Sequence, residues 1–248
     1  MSTKYIASNW RLPNQENSRK NDNYGLTFDG TEYISQVITE LNSATSFSIS
    51  FWGKLANVTS YIILGDLITP YSHGVSFGWN STYLGGTIFY RCQNGSASPY
   101  LTASLSPDTE WHHFVVTYDA GTRFIYIDGA QAATDTSGPA SMPATLGNTF
   151  KIGQDNSGGS NVTNGSISEL SVFDYALTST QISTLYGSSS LGSGNPMALK
   201  PQPVAYYPLG DNSASNPLTQ PNVAVEDASV FDFSLTNNNS INIGNNTL

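Results

Sequence analysis

Trp111-His112-His113-Phe114-Val115-Val116-Thr117-Tyr118-Asp119 is followed almost at once by Thr122-Arg123-Phe124-Ile125-Tyr126-Ile127-Asp128-Gly129. Both runs are rich in aromatic and β-branched side chains, which suit a pleated, half-buried surface. A connection as short as Asp119-Ala120-Gly121 joins antiparallel neighbours. Asp128-Gly129 then offers a turn that accepts positive φ. The pair is a β-hairpin, and the rest of the chain reads in its style.

Ser46-Phe47-Ser48-Ile49-Ser50-Phe51-Trp52-Gly53 alternates polar and apolar residues, as a strand with one wet face should. Further strand runs are Leu26–Asp29, Tyr33–Val37, Tyr61–Gly65, Gly74–Trp79, Thr87–Arg91, Phe150–Gly153 and Ser166–Phe173. Their roughly regular spacing, with Gly, Pro and Asn turns between them, predicts a β-sandwich or jelly roll. One short helix is predicted over Thr178–Tyr186, with hydroxyl residues at its start, Ile182 and Leu185 three apart, and Gly187 as its stop. Residues 188–203 are rich in Ser, Gly and Pro and read as an extended linker. The expected organisation is therefore a sandwich over 1–187, a linker over 188–203, and a strand-bearing extension over 204–248.

Composition agrees with short strands joined by many turns. Charged residues make up 11% of the 248, against a usual quarter, and Ser, Thr, Asn and Gly fill the gap. That excludes a coiled coil or helical bundle. Fourteen Tyr, 11 Phe and 4 Trp exclude a disordered chain. The net charge of −9, with no Lys/Arg cluster, argues against nucleic acid and anionic membranes as partners. No apolar run is long enough for a membrane helix. The first ten residues lack the apolar stretch of a signal peptide. A single cysteine, Cys92, leaves no internal disulfide and reads as a small buried thiol.

Several of these runs, in this order, resemble the laminin G/pentraxin-like members of the concanavalin A-like lectin and glucanase superfamily. The matching residues are Leu26-Thr27-Phe28-Asp29-Gly30, Phe47–Trp52, Trp111–Asp119, Phe124–Gly129, Ile152–Asp155, Gly165–Leu170 and Phe173–Thr178. The resemblance implies an all-β jelly-roll sandwich of two antiparallel sheets. Pro203-Val204-Ala205-Tyr206-Tyr207-Pro208-Leu209 is similar to the family's usual first strand, yet here it comes near the end. Such a displaced strand closes either its own sheet, as in a circular permutant, or the sheet of a neighbouring copy. Val204, Tyr206, Tyr207 and Leu209 are the candidate assembly residues, with Val204, Tyr206 and Leu209 expected on one buried side.

Three site readings follow. Gln154-Asp155-Asn156-Ser157-Gly158-Gly159 resembles a pentraxin calcium loop, which implies Asp155 and Asn156 as ligands, with Asp66 as a contributor from another loop. Calcium wants six to eight oxygens; the competing reading is an Asx turn. Tyr71, His73, Trp79, Tyr83 and Tyr100 lie in or near Gly/Ser/Asn-rich loops and are candidates for stacking on glycans. The competing reading is ordinary sandwich core. His112 and His113 point to opposite faces of a strand and read as structural. A glycoside hydrolase needs two carboxylates across a cleft. The best strand, around Glu169, offers one, so no catalytic residue is assigned.

The displaced strand also makes the chain similar to structural proteins of marine phages. The resulting expectation is a non-enzymatic virion subunit (decoration, fibre or appendage), associating with itself or other virion proteins, with contact to host glycans as a secondary activity. The alternative is an extracellular lectin or adhesin.

Overall fold

The computed structural model describes residues 19–20, 25–66, 73–80, 88–95, 99–154, 162–187, 193–209 and 236–237. Its strands in chain order are β1 (Arg19–Lys20), β2 (Leu26–Asp29), β3 (Ile34–Gln36), β4 (Ser46–Leu55), β5 (Ile62–Gly65), β6 (His73–Trp79), β7 (Ile88–Asn94) and β8 (Leu101–Ala103). They continue with β9 (His112–Asp119), β10 (Thr122–Ile127), β11 (Ala130–Asp135), β12 (Phe150–Ile152) and β13 (Asn164–Phe173). After helix α1 (Ser179–Tyr186) come β14 (Ser193–Gly194), β15 (Ala205–Tyr207) and β16 (Thr236–Asn237).

These strands make two antiparallel sheets. The first runs β11-β10-β9-β4-β13-β15, with β2 also on β13; the second runs β16-β3-β12-β5-β6-β7-β8. The expected jelly-roll sandwich is what forms. The hairpin that opened the reading is a two-residue one: Asp119 pairs with Thr122, while Ala120 and Gly121 have φ of 44° and 95°. The Asp128-Gly129 turn repeats the pattern, with φ of 50° and 79°. Both match turns whose twist suits the flanking strands.

The inner faces meet through rings. Phe51 of the first sheet meets Phe77 of the second edge-on at 5.1 Å, and Phe114 lies 5.2 Å from Trp79 and 5.3 Å from Phe77. The outer face of the first sheet carries a second apolar cluster. Val115, Tyr126 and Phe173 are covered by Leu177, by Ile182 and Leu185 of α1, and by Leu199. The helix begins in a reciprocal Thr178–Gln181 capping box and ends at Gly187, φ 75°.

The stretch read as a linker is not free over its described part. Asn195, Pro196, Met197 and Leu199 are buried, and the Asn195 side chain accepts a hydrogen bond from the Met197 N–H at 3.0 Å. Composition suggested a tether, but Met197 and Leu199 are the residues that pull it down. The displaced strand takes the self-closing alternative, since β15 pairs antiparallel with Leu170–Val172 of the chain's own β13. Along the same edge, β2 pairs with Asn164–Ile167, so β15 and β2 lie end to end. The junction is a bulge in β13 at Glu169 (φ 56°), whose N–H donates to the Pro208 carbonyl at 2.9 Å.

Val204, Ala205, Tyr207 and Leu209 enter the main core. Tyr206 corrects the expectation of one buried side, because strand alternation sends it to the opposite face. There its hydroxyl donates to Glu169 Oε2 at 2.5 Å.

Candidate functional site

The outer face of the second sheet is built by simple alternation. Along β6, Val75, Phe77 and Trp79 enter the core, leaving Gly74, Ser76 and Gly78 for the other side. Pairing aligns Ser35, Lys151, Gly65, Ser76 and Arg91 in one row across five strands. The middle of that row is Gly65 and Ser76, the smallest side chains, both buried. A basic residue stands on each flank of this small-residue floor.

Each cation is backed by a tyrosine. The Arg91 guanidinium lies 4.7 Å from the centroid of the Tyr100 ring and donates from Nη1 to the Tyr100 hydroxyl at 3.1 Å. Phe89 meets Tyr100 edge-on at 5.5 Å and fixes the ring from behind. A Cβ at position 78 would fall 2.2 Å from the Phe89 ring, so the glycine there admits the aromatic group. On the other flank, Lys151 Nζ lies 4.2 Å from the Tyr33 centroid and donates to Gln154 Oε1 at 2.9 Å. Arg91, Tyr100, Lys151 and Tyr33 are all half-buried. The Arg91 Nε is enclosed without a hydrogen-bond partner, and no carboxylate among the described residues pairs with the guanidinium.

The glycan candidates separate. Tyr100 stands on this face. His73 opens β6, half-buried, opposite Asn94. Trp79 is corrected to a core residue: it is 0% exposed and packs on Phe114 and His112, leaving no ring face for a sugar. Tyr71 and Tyr83 lie outside the described residues. Sequence reading missed Arg91, Lys151 and Tyr33, because only strand pairing places them together.

Of the calcium candidates, Asp66 alone lies among the described residues. Asp66 is fully buried and accepts a hydrogen bond from the Thr149 hydroxyl at 2.7 Å. Leu64 pairs with Ile152, so the chain moves away from Asp66 as it approaches Gln154. Asp155 and Asn156 lie outside the described residues. Among the described residues no group of three or more His, Cys, Asp or Glu is placed to hold a metal ion.

The other titratable groups are tied into the fold. His112 sits between Asp128 (2.7 Å to Nδ1) and Asp108 (3.2 Å to Nε2). The hydrogen bond with Asp128 raises its pKa above the ordinary histidine value. His113 is buried against the Ser50 hydroxyl at 2.9 Å, and burial drives its pKa down to about 3. Burial likewise pushes the Cys92 thiol up to about 12. Glu169 is 3% exposed and already engaged by Tyr206. Asp29 and Glu32 both accept from the Thr31 hydroxyl, and burial together with the neighbouring Asp29 raises the Glu32 pKa.

The two-sheet sandwich is the fold of the concanavalin A-like superfamily. The chain belongs to the concanavalin A-like lectin/glucanases superfamily, whose laminin G type matches residues 28–183. A Bacteroides ovatus protein named as a candidate carbohydrate-binding protein shares the fold at TM-score 0.66 and 19% identity, over 92% of this chain and 62% of that one. A heptameric pentraxin of Limulus polyphemus gives TM-score 0.52 and 22% identity, over 68% and 83%. In sequence, 26% identity over 191 residues links the chain to a rat protein with sushi, von Willebrand factor type A, EGF and pentraxin domains. That match takes in 71% of this chain and 5% of the much longer relative.

Proposed function

We propose that this chain is a carbohydrate-binding module of lectin type, with no catalytic role of its own. The observation that carries the reading is the Tyr100 ring, half-buried on an outer sheet face and fixed there by Phe89 and Arg91, beside a floor of glycine and serine. A fixed aromatic face gives a sugar stacking area at little entropic cost, and the polar groups around it supply direction. The likeness to the Bacteroides ovatus protein supports it. So does domain 4 of a Geobacillus stearothermophilus arabinanase, solved with arabinotriose, at TM-score 0.50 and 23% identity over 65% of this chain and 75% of that one.

This reading takes the lectin alternative over the virion subunit, since the relatives named come from animals and bacteria. It goes with an extracellular location, where glycans are displayed. Self-association is part of the proposal, on the likeness to a heptameric pentraxin. A glycan array with the wild-type chain and Tyr100→Ala tests the module. Bound sugars should be lost or weakened by roughly tenfold in the variant. An array with no bound sugar sinks the reading, and co-purification of the chain with phage particles would restore the virion one.

A further inference from the structure

Four Asn-x-Ser/Thr triplets have their asparagine among the described residues, and the fold treats them differently. Asn80 is buried, and its Nδ2 donates to the Val58 carbonyl at 2.9 Å and to the Ser60 carbonyl at 2.6 Å. Asn94 commits its Nδ2 to the Ser141 carbonyl at 3.0 Å. Asn164 is half-buried in β13, and the Ser166 of its triplet is 2% exposed. Asn57-Val58-Thr59 is the exception. It lies in the connection from β4 to β5, where Ala56, Asn57, Val58 and Thr59 are all exposed.

The geometry of that connection is fixed and one-sided. Asn57 Oδ1 accepts from the Thr59 N–H at 2.9 Å and from the Thr59 hydroxyl at 2.6 Å. The Asn57 carbonyl accepts from the Ser60 N–H at 3.0 Å. The buried Asn80 amide holds Val58 and Ser60 from beneath. Asn57 Nδ2 makes no hydrogen bond among the described residues.

We infer that Asn57 is the acceptor of an asparagine-linked glycan. The triplet is the acceptor motif for this modification, which needs an exposed loop. Two donors on Oδ1 draw electron density from the amide, so the Nδ2 proton is more easily lost as a bond forms there. The co-reactant is an oligosaccharide carried on a lipid pyrophosphate. The Nδ2–C1 bond forms as the C1–O bond to the pyrophosphate breaks. The pyrophosphate leaves with the electron pair, and the amide proton goes to a base of the transferring enzyme. Since β4 and β5 belong to different sheets, the glycan projects from an end of the sandwich and not from either outer face. The inference stands apart from the lectin reading.

The test is to secrete the full chain from a eukaryotic host behind a cleavable leader. The product is then treated with a peptide N-glycosidase in heavy-oxygen water, which leaves a labelled aspartate wherever a glycan stood. Peptide mass mapping should find that label at position 57. Asn57→Gln and Thr59→Ala should each lose it with the melting temperature unchanged. Thr59→Ser, which keeps the hydroxyl, should retain it. A bare Asn57 in the folded, secreted protein overturns the inference. A glycan on Asn80 of the same folded protein overturns it too, because a buried and committed amide would then accept as well as an exposed one. A glycan array with no bound sugar sinks the lectin reading and leaves this site standing, and a bare Asn57 does the reverse.

Discussion

The two sheets share one core and differ on their outer faces. The first sheet covers its outer face with the chain itself: α1 and the segment through Leu199 close over Val115, Tyr126 and Phe173. The polar groups beneath, His113 and Glu169, are bonded to Ser50 and Tyr206. The second sheet keeps two cation–tyrosine pairs half-buried around a glycine–serine floor. In a sandwich the inner faces determine the fold. The outer faces are where members of one fold diverge in function. Here one outer face is covered by the chain itself, and the other is the face proposed above for recognition.

The strongest way to break this contrast is to remove residues 204–248. β13 would lose β15, and the core would lose Val204, Ala205, Tyr207 and Leu209. The expected result is loss of cooperative unfolding in a circular-dichroism melt, with aggregation seen in sedimentation. A truncated chain that melts like the full one would show that β15 does not complete its own sheet.

Trp79→Ala comes next. A fully buried tryptophan should cost about 3–5 kcal/mol when truncated, read from denaturant unfolding. Tyr100→Ala should cost far less stability and act on sugar binding instead. If the two variants behaved alike in either assay, the division between core and face would fail. Leu199→Ala should cost about 2 kcal/mol or more if the 193–203 segment packs on the first sheet. A loss below about 0.5 kcal/mol would return that segment to a tether.

The smallest effect is in pH. Hydrogen bonding raises the His112 pKa in the folded state, so its contribution is full below the unfolded value of 6.5 and is lost as pH rises through the folded pKa. His113 is opposite. Its pKa is near 3 in the fold, so acidification protonates the unfolded chain first, and stability falls from pH 6.5 toward 3. Melting temperatures across pH 4–9 should therefore show His112→Gln flattening the alkaline side alone. A change confined to the acid side would reverse the assignment.

The fold was largely legible because its signals are local. Ala120-Gly121 and Asp128-Gly129 mark their hairpins within a few residues, and period-two runs mark the strands they join. The short helix announced its own caps. The errors came where a side chain's environment is set from far away. Trp79 has loop residues after it, but strand alternation carries it inward. Residues 193–203 look flexible by composition, and only the apolar outer face of the first sheet gives Leu199 a place to bury.

From sequence alone came the strands, the turns and the family resemblance, because each is a property of neighbouring residues. The tertiary structure decided the rest. It placed β15 on its own β13 and turned Tyr206 to the face opposite Ala205 and Tyr207. It also set Arg91 and Lys151 on one row, with β5 and β6 between them. Those outcomes depend on register between strands distant in the chain, and register is settled only when both inner faces are buried at once.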